Sequence, residues 1–289
     1  MFIVTGATGQ LGRAIVKHLI DRVPADQVGT SVRDSAKAAD LEALGVRVRQ
    51  GDFKDPESLA HTFERAKQVL LVSSNARATG GDPLAQHRAA IDAAQAAGAK
   101  RVVYTSHMAA SASSAFPPML DHHATEAMLQ QSGLAWTALR NGFYAASGIA
   151  LMGDALTTGV IATPADGKIA WTAHADLAEA AAIILASEGR YDGPTPPLTG
   201  SHALDFDDVA GIVAALTNKP VHHMTLSDEE LRARIVERGA PPTTAAILLG
   251  LYAASRNGEF AIVDPTLAQL LCRSPITMRE LIAAEVDHA

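Results

Sequence analysis

Apolar positions in the first two-thirds of the chain fall into short, nearly continuous runs separated by longer stretches with helical spacing. The runs cover residues 2–5, 28–32, 46–50, 68–72, 101–105 and 135–139. Strands buried on both faces read this way, whereas strands with one wet face alternate. Between them the spacing predicts helices over 11–22, 35–44, 56–66, 83–97 and 122–132. Local signals punctuate the pattern: Gly45, Gly98 and Gly133 stand where helices end, and Pro56 and Pro83 open helices, where a missing N–H is harmless. Strand–helix alternation of this kind predicts an α/β fold with a doubly wound parallel sheet, whose ligands lie beyond the carboxyl ends of the strands.

After Arg140 the pattern loosens. Helices are predicted over 176–187, 206–216, 228–238, 243–255 and 278–286, with a short strand near Leu198. Breaks rich in proline and glycine at 193–197 and 239–242 separate them. This divides the chain into a sheet domain, 1–150, and a smaller, mostly helical substrate lobe, 151–289, that closes over the sheet's ligand end. Helix 176–187 and the strand near Leu198 are expected to pack back on the sheet domain.

Composition narrows the class. With 48% hydrophobic and 19% charged residues, the chain has ordinary globular usage, and global disorder is excluded. A formal net charge of −7 argues against a nucleic-acid surface. The single cysteine, Cys272, permits no internal disulfide and fits a reducing compartment. The first residues open a strand and carry no basic n-region or cleavage site, so no signal peptide is expected. No apolar run approaches the length of a membrane span, and a cytoplasmic protein is expected.

Between the first strand and first helix lies Gly6-Ala7-Thr8-Gly9-Gln10-Leu11-Gly12. The first glycine allows a tight turn, the second lets backbone approach a pyrophosphate, and the third lets helix pack against strand. Backbone N–H groups and the helix dipole at Thr8 to Gly12 then attract phosphates. A glycine pattern alone is weak evidence, but this one sits inside a complete strand–loop–helix–strand unit. A Rossmann domain binding a dinucleotide is the expectation.

The spacing G-x-x-G-x-x-G resembles that of extended and atypical short-chain dehydrogenase/reductases. Further segments narrow the resemblance: Val32-Arg33, Gly51-Asp52-Phe53, His122-x-x-Thr125-Glu126 and Leu139-Arg140-Asn141-Gly142-Phe143-Tyr144. Together they resemble the NmrA-like family, and within it the bacterial NADPH-dependent quinone oxidoreductase and triphenylmethane reductase branch. The resemblance implies an NADP(H)-dependent oxidoreductase. It also implies the alternative of a non-catalytic NADP(H)-binding redox sensor with a protein partner.

The end of the second strand bears on the cofactor. An NAD site places a carboxylate there for the ribose hydroxyls, but this chain has Arg33, whose guanidinium can pair with a 2′-phosphate. Asp34 follows and is either a competing acid or a cap for the next helix. NADP(H) is favoured over NAD(H). Asp52 and Phe53, after the third strand, are candidates for the adenine, with a turn aspartate before Pro56 as the plainer reading. Ser73, Ser74 and Asn75 end the fourth strand as ribose ligands or simple turn formers.

Ordinary short-chain dehydrogenases use Tyr-x-x-x-Lys to move the substrate proton. No tyrosine here has a lysine four residues on. His122 opens the predicted helix at the position where related plant reductases carry a catalytic lysine and the quinone-reductase branch resembles histidine. It is a catalytic candidate or a positioning residue, and a helix N-terminus would favour its neutral form. The pairs His122-His123 and His222-His223 point apart from any helix or strand, so no metal site is expected. Asn141, Gly142, Phe143 and Tyr144 follow the sixth strand as candidates for the nicotinamide end, or as an aromatic patch joining the two lobes. Met108, Phe116, Pro117 and Pro118 lie in a long segment that suits a lid over substrate. A quinone, or a similar flat conjugated electrophile, accepts hydride with little proton help, which agrees with the missing relay.

Overall fold

The computed structural model describes residues 1–288, and the chain divides into two compact units. The first comprises Met1–His107, Asp121–Arg140 and His174–Pro196. The second comprises Met108–Leu120, Asn141–Ala173 and the chain from Pro197 onward. The division thus crosses the chain several times, where the sequence suggests one boundary near residue 150.

Through the first half the elements are β1 (Phe2–Thr5), α1 (Gln10–Ile20), β2 (Val28–Val32), α2 (Ala39–Ala43), β3 (Arg47–Gln50) and α3 (Pro56–Thr62). Then come β4 (Gln68–Leu71), α4 (Pro83–Ala96), β5 (Arg101–His107), α5 (Pro117–Gln131) and β6 (Ala135–Asn141). The second half adds β7 (Phe143–Tyr144), α6 (Ala145–Leu151), α7 (Ala155–Thr158), β8 (Val160–Pro164), β9 (Trp171–Thr172), α8 (His174–Ala186) and β10 (Gly193–Pro194). It closes with α9 (Phe206–Thr217), β11 (His222–Leu226), α10 (Asp228–Glu237), α11 (Pro242–Arg256), α12 (Thr266–Leu271) and α13 (Met278–His288).

The first unit is built on a seven-stranded parallel sheet in the order β10-β6-β5-β4-β1-β2-β3. In it β1 pairs with β2 on one side and β4 on the other, so the winding direction reverses at β1. That reversal opens a crevice at the carboxyl ends of β1 and β4. Ile3, Leu59, Phe63, Val69, Ile91, Val102, Tyr104 and Leu129 form one core cluster of this unit. Each such side chain contributes roughly 1.5–3 kcal/mol by leaving water. Helix α8 packs on α1, and its buried residues are mostly small, among them Ala178, Ala180, Ala181 and Ala182.

Several sequence expectations shift. Gly193–Pro194, read as a break, is the seventh strand; proline is tolerated there because the strand lies at the sheet edge. Leu198 makes only an isolated bridge with Asn141. Strands β5 and β6 run two residues further than the apolar runs, because the ladder continues through polar Ser106, His107 and Asn141. Helix α5 starts at Pro117, so His122 lies more than a turn inside it.

In the second unit, β7 pairs with β9 and β8 with β11, both parallel. Phe116, Phe143, Trp171 and Phe260 meet in an aromatic cluster, with Phe143 and Phe260 centroids 5.0 Å apart. These two-to-five-residue strands are too short for periodicity to distinguish from loop.

Candidate cofactor and reaction site

At the winding reversal of the first unit lies a cleft of about 670 Å³. Its floor is the glycine loop. Gly6 adopts φ +63°, which only glycine takes without strain, and its N–H donates to Ser31 O at 3.1 Å. Gly9 N donates back to Gly6 O at 2.9 Å, closing the turn that launches α1. A Cβ on Gly12 would stand 2.5 Å from Gly6 O, so the third glycine is the point where helix meets strand.

Gly6, Thr8 and Gly9 line the cleft; Gln10, Leu11 and Gly12 do not, and the Leu11 side chain is buried in the core. From β2 come Ser31, Val32 and Arg33. Arg33 is exposed and makes no ion pair among the described residues. Asp34 does not compete with it: its carboxylate caps the following 3₁₀ turn, accepting from Ala36 N at 3.1 Å. A second cation, Lys54, lines the same cleft after β3. Its only signal in the sequence is its place directly after Gly51-Asp52-Phe53.

Asp52 and Phe53 both line the cleft. One Asp52 oxygen accepts Lys54 N at 2.9 Å, the bond of a turn aspartate, and the ring of Phe53 packs partly on the core. The turn and ligand readings of Asp52 are therefore compatible. Ser73, Ser74 and Asn75 form the opposite wall. Exposed cations, acceptors and a glycine floor fit a phosphorylated dinucleotide. The cleft volume is also in the ordinary range for a ligand site.

The carboxyl end of β5 carries a buried ring cluster. The hydroxyl of fully buried Tyr104 is 2.8 Å from His122 Nδ1. His107 stacks near His122 with centroids 6.1 Å apart. Desolvation pushes His107 down to about 3. It also holds His122 well below its ordinary value, with His107 and His87 adding like-charge repulsion. Burial and neighbours, not a helix N-terminus, thus keep His122 neutral. His87, buried on α4, is pushed down to about 4 by desolvation, against the pull of Asp121 and Asp82.

In the second unit, Asn141 is buried and its amide oxygen has no hydrogen-bond partner. Such an orphaned acceptor is rare and calls for a donor. Gly142 lies against Thr172 and Leu198, where a Cβ would find no room, and its N–H donates to Leu198 O at 2.7 Å. Phe143 belongs to the aromatic core. Burial raises the Tyr144 hydroxyl, a hydrogen bond from Asn141 opposing it. The segment expected as a lid is tied down: Glu259 accepts from Ser114 Oγ and from Ala115 N, and Met108 and Phe116 are buried. Tyr252 has Arg256, not lysine, four residues on, and that arginine pairs with Asp228. Among the described residues no group of three histidine, cysteine or acidic side chains is placed to hold a metal, and no described helix is long and apolar enough to cross a membrane.

The sequence profile of the NAD(P)H-binding family matches residues 6–188. Quinone oxidoreductase 2 of Escherichia coli is 36% identical over 98% of this chain and 98% of its own. Its crystal structure with NADPH superposes with a TM-score of 0.90 at 35% identity, covering 100% of this chain and 99% of the other. The NADP(H) complex of a Citrobacter sp. triphenylmethane reductase gives a TM-score of 0.88 at 32% identity, covering 99% and 100%.

Proposed function

The chain belongs to the NAD(P)H-binding, NmrA-like family, and on that premise we propose that it transfers hydride from NADPH to a quinone or a similar flat conjugated electrophile. Gly6, Thr8 and Gly9 would hold the pyrophosphate, Arg33 with Lys54 the 2′-phosphate, and Asp52 with Phe53 the adenine. When bound, the nicotinamide supplies the hydride. The protein's own groups bind, orient and exclude water.

The observation that carries the choice of acceptor is the absence of a ready proton. His87, His107 and His122 at the sheet's carboxyl end are all held neutral by burial. A simple ketone needs its oxygen protonated as hydride arrives. A quinone is already electrophilic and its reduced oxygens are weakly basic, so solvent can supply the protons afterwards. His122 serves this reaction as a positioning contact rather than as an acid.

Absorbance at the NADPH band with a panel of quinones and simple ketones tests the reading. Oxidation with quinones and none with ketones is expected. NADPH binding without oxidation by any acceptor overturns it and leaves the redox-sensor reading standing.

A further inference from the structure

The wall formed by Ser73, Ser74 and Asn75 contains no glycine and no regular structure, lying between β4 and the 3₁₀ segment that starts at Ala76. Its three leading backbone donors are all captured by side chains of other elements. Val72 N donates to Thr5 Oγ1 of β1 at 2.9 Å, and Ser73 N to Thr105 Oγ1 of β5 at 2.8 Å. Ser74 N donates to His87 Nε2 of α4 at 2.8 Å.

The last contact fixes the state of the imidazole. Because Nε2 accepts, the neutral ring carries its proton on Nδ1. That nitrogen lies 2.8 Å from Thr125 Oγ1, which donates in turn to Asp121 O at 2.7 Å. Every proton in the chain therefore has one direction: His87 Nδ1–H to Thr125, Thr125 to Asp121. Edge-on contact with Tyr104, centroids 5.3 Å apart, holds the ring plane. Asp121 also clamps Arg77, just beyond the wall, by accepting from Nε and Nη2 along one guanidinium edge. A serine or threonine could not replace His87, since neither spans the distance from α4 to Ser74 while anchored on α5.

We propose that His87, locked as the Nδ1–H tautomer by Thr125, is a positioning residue that fixes the Ser73–Asn75 wall for the bound dinucleotide. The inference rests on the reading that this cleft takes NADP(H). Its role is to accept one backbone hydrogen bond, and it touches no reacting atom. Burial keeps it able to accept across the neutral range.

Three variants test this by NADPH calorimetry, with melting curves run alongside. Glutamine places its Oε1 near the Nε2 position, whereas asparagine reaches only the Nδ1 position. His87→Gln is expected to bind NADPH within about twofold of the parent, and His87→Asn and His87→Ala about tenfold more weakly, the effect of one lost neutral hydrogen bond. Turnover should show the loss in KM for NADPH with kcat little changed. Should His87→Ala fail to fold, the two amides still decide the matter. In the apo protein, ¹⁵N shifts of the His87 ring should report Nδ1 protonated and Nε2 bare. Equal NADPH affinity in the glutamine and asparagine variants, or the opposite tautomer, overturns the proposal. If Arg33→Ala and Gly9→Val also leave NADPH affinity untouched, the cofactor reading has failed instead.

Discussion

Two loops face each other across the cleft, and they are held by opposite means. The loop from Gly6 to Gly12 is stabilised by its own backbone: Gly9 N to Gly6 O at 2.9 Å, Arg13 N to Gly9 O at 3.0 Å, and a Gly12 that meets Gly6 with no side chain between. The loop from Val72 to Asn75 is stabilised by side chains as far as 67 residues away in sequence, Thr5, Thr105 and His87. A backbone-built loop needs particular small residues at fixed spacing, so it is recognisable as a motif. A loop built by side chains can have almost any local sequence, because its instructions are written elsewhere.

The contrast can be broken most severely at the glycine loop. In Gly12→Val the new Cβ would meet Gly6 O at 2.5 Å, and nothing flexible can yield. NADPH binding should fall by at least about a thousandfold, or the fold should fail, read by calorimetry and melting. Near-parental affinity would mean that β1 and α1 do not meet as described.

Acid separates the loops next. The glycine loop contains no titratable group, whereas the second loop leans on a ring cluster that must stay neutral. His87, His107 and His122 have folded values below their ordinary 6.5, so the unfolded chain binds more protons as pH falls below that value. Stability is therefore fully present above about pH 6.5 and is lost on acidification toward pH 4. Asp166, raised to about 6 chiefly by burial, opposes this with one proton. His174, also lowered by burial, adds to the histidines, so a net of about two to three protons gives a slope of roughly 3 to 4 kcal/mol per pH unit between pH 6 and 4.5. Urea melts across that range measure it, and His87→Gln should lower the slope by about 1.4 kcal/mol per unit. A flat profile would contradict the neutral cluster. The tenfold NADPH effect expected for His87→Asn is smaller again, because it removes one bond from a loop that keeps two others.

The same contrast accounts for how much could be read from sequence. The six long strands, the glycine loop and Arg33 were legible because each is a local pattern: an apolar run, a spacing, or a charge at a strand end. The freedom of Arg33 was less so, since it depends on Asp34 turning to cap the next segment. Edge strand β10 was hidden because proline and glycine mark both breaks and edges. The place of Phe143 in an aromatic cluster was not legible, because an aromatic run looks alike on a core and on a site. His87 carried no sequence signal at all. Its meaning comes from Ser74, Thr125 and Asp121, which only the fold assembles.

The most direct test of the central claim, a cleft built for NADPH, is calorimetric titration of NADPH and NADH into the parent protein and Arg33→Ala. At least tenfold preference for NADPH is expected in the parent, with loss of most of that preference in the variant through weaker NADPH binding alone. Equal affinity for both cofactors in the parent, or unchanged NADPH affinity without the guanidinium, would contradict it.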